Sequence, residues 1–329
     1  MFDRLIAKTL AFATLAFAAI ASFPPAAAQT GTFPDRTIKV VVPFAAGGGI
    51  DVMARLFAEK AKGMLGVPVI VENRAGASAT IGGLAVHQSP PDGYTLLFVP
   101  VTHSMANVVM KSVPYDAVND FTPVARVGIS PLLMVMSNKM PQTTLTEVAA
   151  AARQRPADWI IATSGLGSAG HITSIEFRNQ ARADLTITPY RGTAPALIDV
   201  LGGHVQLLID SIITLLPPAR DGKVKALAVT SARRSALAPD VPTAAESGMP
   251  SLEFTAWFGF LGPKGMPPDV VARLNGVFNE AGRTLAAENK LAPLGTEPVA
   301  ETPEEFARFI RVQVDRNTRL LQSAGFKPE

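Results

Sequence analysis

From Thr37 onward the sequence repeats one theme: a short β-branched run, a loop rich in Gly, Ser or Thr, and then an amphipathic stretch. Thr37 to Phe44 (TIKVVVPF) reads as a buried strand, and Ile50 to Met64 places Met53, Leu56, Phe57 and Met64 on one helical face. Val67 to Val71 and Thr95 to Val99 are two further strands, the second preceded by the turn Pro90-Pro91-Asp92-Gly93. Strands that alternate with helices predict an α/β fold on a mostly parallel sheet.

A second unit begins near Leu132. Thr144-x-x-Glu147 forms a capping box that opens a helix, and strands are expected at Trp159 to Thr163, Leu185 to Thr188, Val205 to Ile209 and Lys225 to Thr230. A helix over 194–201 stops at Gly202-Gly203. After Trp257 to Leu261 the chain turns helical, over Pro268 to Leu285 and again from Thr302-Pro303-Glu304-Glu305, where an N-cap, a proline at N1 and a glutamate at N3 coincide. These last helices need a sheet to cover, and the first unit has room for them. The expected division is therefore a discontinuous first domain, 33–131 plus 260–329, and a second domain, 132–259. Two crossings between α/β domains imply a hinge and a cleft.

The first 28 residues have the pattern of a cleaved secretory signal: Arg4 and Lys8, an uncharged apolar stretch from Thr9 to Phe23, then Pro24, Pro25 and Ala26-Ala27-Ala28 before Gln29. The stretch is too short to span a bilayer, so export to the periplasm is expected rather than anchoring. The chain has no cysteine, which removes disulfides, thiolate metal sites, cysteine nucleophiles and a lipoprotein anchor together. A formal charge of +3 with scattered Lys and Arg does not suggest a nucleic-acid partner. The histidines His87, His103, His171 and His204 show no metal spacing, and neither a metal nor a cofactor is expected.

Phe44-Ala45-Ala46-Gly47-Gly48-Gly49 joins the first strand to the first helix. Glycines there let backbone N–H groups approach a ligand, and a helix N-terminus favours an anion. The loop lacks the Lys-Ser/Thr pair of a nucleotide P-loop. Asp51 reads as a residue that holds this loop, because its charge would repel an anion. A second loop, Ser164-Gly165-Leu166-Gly167-Ser168-Ala169-Gly170-His171, formally matches G-x-G-x-x-G, yet Asp184 precedes the next strand instead of ending it, which argues against a dinucleotide. His171 either donates to an anion or satisfies a cap or the core. Thr102 and His103 follow a strand end, where α/β sheets place ligands. Tyr190 and Arg191 follow another; Arg191 pairs either with a ligand carboxylate or with a protein one. Asp210 ends a strand and either accepts from a ligand hydroxyl or ammonium or caps a helix.

Nine segments taken in order resemble the Bug-type extracytoplasmic solute receptors, the substrate-binding proteins of tripartite tricarboxylate transporters. They include VVPFAAGGGID (41–51), VIVENRAGASATIGG (69–83), PYDAVNDFTPVA (114–125), ATSGLGSAGH (162–171), PYRGTAPALIDVLGGHV (189–205) and WFGFLGPKGMP (257–267). The resemblance implies a periplasmic binding protein type II-like fold of two α/β domains that close on a small carboxylate. It also implies a membrane transporter as partner, a monomeric receptor and no catalytic residue. Carried onto this chain, the carboxylate loop is Phe44 to Gly49, the facing loop is Ser164 to His171, and Thr102 and Asp210 line the pocket. Two other readings stand beside it: a receptor that reports to a membrane sensor, and an enzyme that uses the glycine loops for a nucleotide or phosphorylated substrate.

Overall fold

The structure, a computed structural model, describes residues 33–328, so the expected signal peptide lies outside the described residues. From Arg36 onward the chain forms one compact unit. It begins with β1 (Ile38–Val42), α1 (Gly49–Leu65), β2 (Val69–Asn73), α2 (Thr80–His87) and β3 (Thr95–Pro100), followed by two one-turn helices, α3 (Val101–Ser104) and α4 (Ala106–Val109). A long strand, β4 (Phe121–Ser137), leads into α5 (Leu145–Gln154), β5 (Ile160–Thr163), α6 (Ala169–Ala181), β6 (Thr186–Pro189) and α7 (Thr193–Gly202). Then come β7 (Leu207–Ser211), α8 (Ile212–Arg220), β8 (Val224–Val229), β9 (Thr255–Pro263), α9 (Pro268–Ala287), β10 (Glu297–Pro298) and α10 (Pro303–Ser323).

Local chemistry accounts for most of these boundaries. Both capping boxes form: Thr144 accepts from the Glu147 N–H at 3.2 Å and Thr302 from the Glu305 N–H at 3.2 Å, each glutamate reaching back to the cap N–H. Glu304 adds only a first-turn negative charge to α10. α7 stops where Gly203 turns left-handed, at φ 73°.

The strands run in the order β2-β1-β3-β9-β4-β7-β5-β6, with β8 and β10 also pairing β4. The flanks β2-β1-β3 and β7-β5-β6 are parallel, as alternation with helices requires. The centre is not. β9 lies antiparallel between β3 and β4, and β4 is antiparallel to β7, β8 and β10, so the sheet is mixed and the expectation of a mostly parallel one is corrected. β4 was hidden in the sequence by Pro123, Gly128 and Pro131, residues that weaken a strand reading. Here Pro123 and Gly128 sit at register shifts against β9, where a bulge tolerates them. At Pro131 and Leu132 β4 changes partners, from β9 to β7 and β8.

Under the first half of the sheet Phe57, Phe98, Phe260 and Phe278 pack ring to ring, with Phe260 and Phe278 stacked at 3.7 Å. α10 covers β4 through Phe306, whose ring meets Trp257 edge-on at 5.4 Å. Fully burying such rings contributes roughly 2–3 kcal/mol each. The packing leaves the C-terminal ends of the strands free to surround a cavity.

Candidate ligand-binding site

A cavity of about 510 Å³ opens between the strand ends of the two halves of the sheet. The first residues of four helices reach its wall: Gly49 and Ile50 of α1, Ala169 and Gly170 of α6, Thr193 of α7, and Ile213 and Thr214 of α8. Each helix start directs unsatisfied N–H groups and a partial positive charge outward, so together they favour an anion. Arg191 stands in the same wall, exposed, with no hydrogen bond or ion pair among the described residues. The floor comes from the central strands, through Ser130 and Leu132 of β4 and Ala256 and Phe258 of β9.

The β1–α1 loop is held from behind. Gly47, at φ 81°, donates its N–H to Asp51 Oδ2 at 2.8 Å, and Asn73 Nδ2 bridges Asp51 Oδ1 at 2.9 Å and the Phe44 carbonyl at 3.1 Å. Arg55 pairs with the same carboxylate at 3.0 Å. Burial acts to raise the Asp51 pKa, but the bonds from Arg55, Gly47 and Asn73 outweigh it and hold the carboxyl below its ordinary value. Asp51 therefore buttresses the loop, which meets the cavity at its two ends, Phe44 and Gly49. Ala45, Ala46, Gly47 and Gly48 belong to the same loop but lie exposed outside the cavity wall.

On the opposite side Ser164, Gly165, Leu166 and Ser168 line the cavity. The Ser168 hydroxyl caps α6 by accepting from the His171 N–H at 3.1 Å, and its oxygen lies 3.0 Å from Thr163 Oγ1. Gly170 must be glycine, because a Cβ there would collide with the Ile209 carbonyl of the neighbouring strand. Gly167 and His171 stand behind the wall: the buried imidazole accepts the Gly167 N–H at Nδ1, 3.2 Å away. Burial, helped by the charge of Arg178, pushes the His171 pKa down to about 4. The ring is turned into the core and not toward the cavity.

Of the other expected residues, Thr102, Arg191 and Asp210 line the cavity, whereas His103 and Tyr190 do not. One residue past Thr102, the helical turn of α3 carries His103 inward, stacked on Tyr115 at 5.7 Å and edge-on to Phe121 at 4.7 Å. Burial drives its pKa to about 4 against a weaker opposing influence of the Ala117 backbone. Tyr190 instead turns its hydroxyl to Asp199, donating at 2.5 Å. Asp210 is buried; Oδ1 accepts from the Ser211 N–H at 2.7 Å and Oδ2 completes no hydrogen bond. Burial raises its pKa, with Ser164, Ser211 and Thr193 pulling the other way.

The sequence reading missed Ser78, Ser130, Thr193, Ser211, Thr214 and Phe258. Thr193 and Ser211 carried the signal already used for Arg191 and Asp210, a polar residue at a strand-to-helix junction. Ser78 sits in a triplet, Ala77-Ser78-Ala79, whose three residues all have positive φ without being glycine.

The family model for the tripartite tricarboxylate transporter family receptor matches residues 53–326. The chain belongs to this receptor family. The protein BugT of Bordetella pertussis is 37% identical over 298 residues, covering 90% of this chain and 91% of BugT. Among solved structures, R. palustris Rpa4515 with adipate aligns at TM-score 0.81 and 32% identity, over 90% of this chain and all of that one. MatC (Rpa3494) from Rhodopseudomonas palustris with bound malate aligns at TM-score 0.77 and 33% identity, over 88% and 100%. The fold of this receptor is thus the α/β fold of the family's periplasmic binding proteins, built here on a mixed sheet.

Proposed function

We propose that this chain is an exported receptor that captures a small carboxylate in its cavity and delivers it to a tripartite tricarboxylate-type membrane transporter. One observation carries the reading: four helix N-termini and the unpaired Arg191 converge on a cavity of about 510 Å³ at the strand ends. Anionic ligands are favoured there without any catalytic group, and Arg191 can hold a carboxylate through two parallel N–H bonds. Family membership and the adipate and malate complexes of two relatives support the same substrate class.

Capture proceeds by closure of two lobes, 33–131 plus 260–329 and 132–259, with β4 serving as hinge where it changes partners at Pro131 and Leu132. Ligand binding selects the closed arrangement, and the transporter reads it. Export through the signal sequence ending at Ala28 places the receptor in the periplasm as a monomer. Among the described residues no helix is long and apolar enough to cross a membrane.

Thermal unfolding of the chain from Gln29, measured against malate, adipate, longer and aromatic carboxylates and nucleotide controls, tests this. A ligand at about 100 times its dissociation constant adds roughly 2.7 kcal/mol to stability. We expect a shift with one carboxylate class and none with nucleotides. A shift confined to nucleotides would overturn the receptor reading.

A further inference from the structure

The C-terminal helix reaches the ligand loop from two directions, although none of its residues lines the cavity. Two residues past the end of α10 the chain turns at Gly325, which is left-handed at φ 71°. The Gly325 N–H donates to the Gln322 carbonyl at 3.0 Å and the Phe326 N–H to the Leu321 carbonyl at 3.0 Å, the paired bonds of a Schellman stop. That stop folds Phe326 back onto α6, where its ring meets His171 edge-on at a centroid distance of 5.3 Å. Arg178, two turns along α6, donates to the Ala324 carbonyl at 3.1 Å and fixes the tail in place.

His171 in turn holds the loop. Accepting the Gly167 N–H at Nδ1 requires the proton on Nε2 and a fixed ring orientation, yet the final torsion of a histidine is intrinsically broad. Phe326 supplies the missing constraint. Leu166, the residue before Gly167, lines the ligand cavity on one side and on the other a groove of about 610 Å³ that Phe326 also lines. The second route starts mid-helix: the buried Asn317 donates to Met105 Sδ at 3.9 Å, and Met105 with Val109 backs Gly167 so closely that a Cβ there would approach Val109 to 3.1 Å.

We propose that α10 and its tail are a positioning element of the ligand site, in which Phe326 orients His171, His171 anchors Gly167, and the Ser164–Ser168 loop is thereby held against the ligand. The proposal rests on reading the cavity as the carboxylate site. Without Phe326 the imidazole gains a free edge, the buried Gly167 N–H loses its steady acceptor, and the loop samples conformations that do not bind.

Amide hydrogen exchange on the unliganded chain, paired with titration calorimetry using malate and adipate, tests it. For Phe326→Ala, exchange at Gly167 should accelerate about tenfold while the Leu208 amide in β7 keeps its rate, and affinity for the probe that binds should fall about fivefold to tenfold. His171→Phe keeps a ring against Phe326 but removes the acceptor, and should give the same loss. His171→Asn places an amide oxygen near the Nδ1 position and should restore Gly167 protection to within about threefold of the native chain. Unchanged Gly167 exchange in either Phe326→Ala or His171→Phe would overturn the proposal, as would equal losses at Gly167 and Leu208, which would mark general destabilisation. If neither probe binds the native chain, that result counts against the functional reading, and the Gly167 exchange by itself upholds or overturns the positioning role.

Discussion

The β1–α1 loop is tied to its sheet by an ionised carboxylate, Asp51, whereas the β5–α6 loop is tied to its helix by a neutral imidazole, His171, and a hydroxyl, Ser168. Asp51 and His171 each hold a glycine N–H, at Gly47 and at Gly167, and both of these side chains sit outside the cavity wall. They differ in how they remain compatible with an anion. The Asp51 charge is matched by Arg55 and by donors from Gly47 and Asn73, so little of its field reaches the ligand. His171 carries no charge to match. The imidazole therefore costs stability from pH 6.5 downward, whereas the carboxylate does so only below its ordinary value of 3.8.

Acidification should break the comparison most strongly. His171 and His103 each have a folded pKa near 4 against an ordinary value of 6.5. Above pH 6.5 both states of the protein hold these rings neutral, and stability is complete. As pH falls the unfolded chain takes up the protons first, so stability declines from 6.5 down to about 4 and this contribution then levels off. Each imidazole accounts for about 3 kcal/mol over that window. Urea unfolding from pH 7 to pH 4.5 should show the loss, and His103→Phe and His171→Asn should each remove about one proton's worth of slope. A variant that unfolds with the native pH dependence would show that its ring is not buried neutral.

Glycine substitutions sharpen the same contrast at a smaller scale. Gly170→Ala drives a methyl group into the Ile209 carbonyl, and backbone cannot give way cheaply, so a loss of about 3 kcal/mol is expected by chemical denaturation. Gly49→Ala meets nothing within 4 Å and has no positive φ, and in a helix it should be neutral or add up to ~1 kcal/mol. Its new methyl group stands at the cavity rim, so malate or adipate titration should register what the denaturation curve does not. If both substitutions unfold the protein equally, the two loops are not packed as differently as the structure places them.

How much of this was legible in the sequence follows from where each signal resides. Strand-to-helix junctions are local patterns, and Thr102, Ser164, Arg191 and Asp210 were found because a polar residue after a β-branched run marks a strand end whatever the tertiary fold. The direction of a side chain within such a junction is not local. His103 and Thr102 differ by one residue, and the turn of α3 sends one to an aromatic cluster and the other to the cavity. β4 was invisible because its prolines are accommodated by bulges against β9, a partner more than a hundred residues away. Ser78 had no local mark at all, since nothing about an Ala-Ser-Ala run predicts three left-handed residues in succession.

The smallest loss of stability is expected where the carboxylate is replaced by its amide. Asp51→Asn keeps one acceptor, enough to hold the Gly47 N–H, but it sets its own amide N–H against the Asn73 amide and forfeits the charge opposite Arg55, which is half exposed and recovers water. Screening on the Arg55 side limits that pair, and with the two amide nitrogens opposed the stability loss should be about 2 kcal/mol. Ligand affinity should change little, because the amide still restrains Gly47 and the loop ends at Phe44 and Gly49 keep their places. Asp51→Ala removes the acceptor entirely and frees the loop, so malate or adipate binding should weaken well before the fold fails. Equal affinity losses in the amide and alanine variants would mean that the negative charge itself, and not the hydrogen bond it accepts, sets the loop, and the likeness between Asp51 and His171 as restraints on a glycine N–H would then fail.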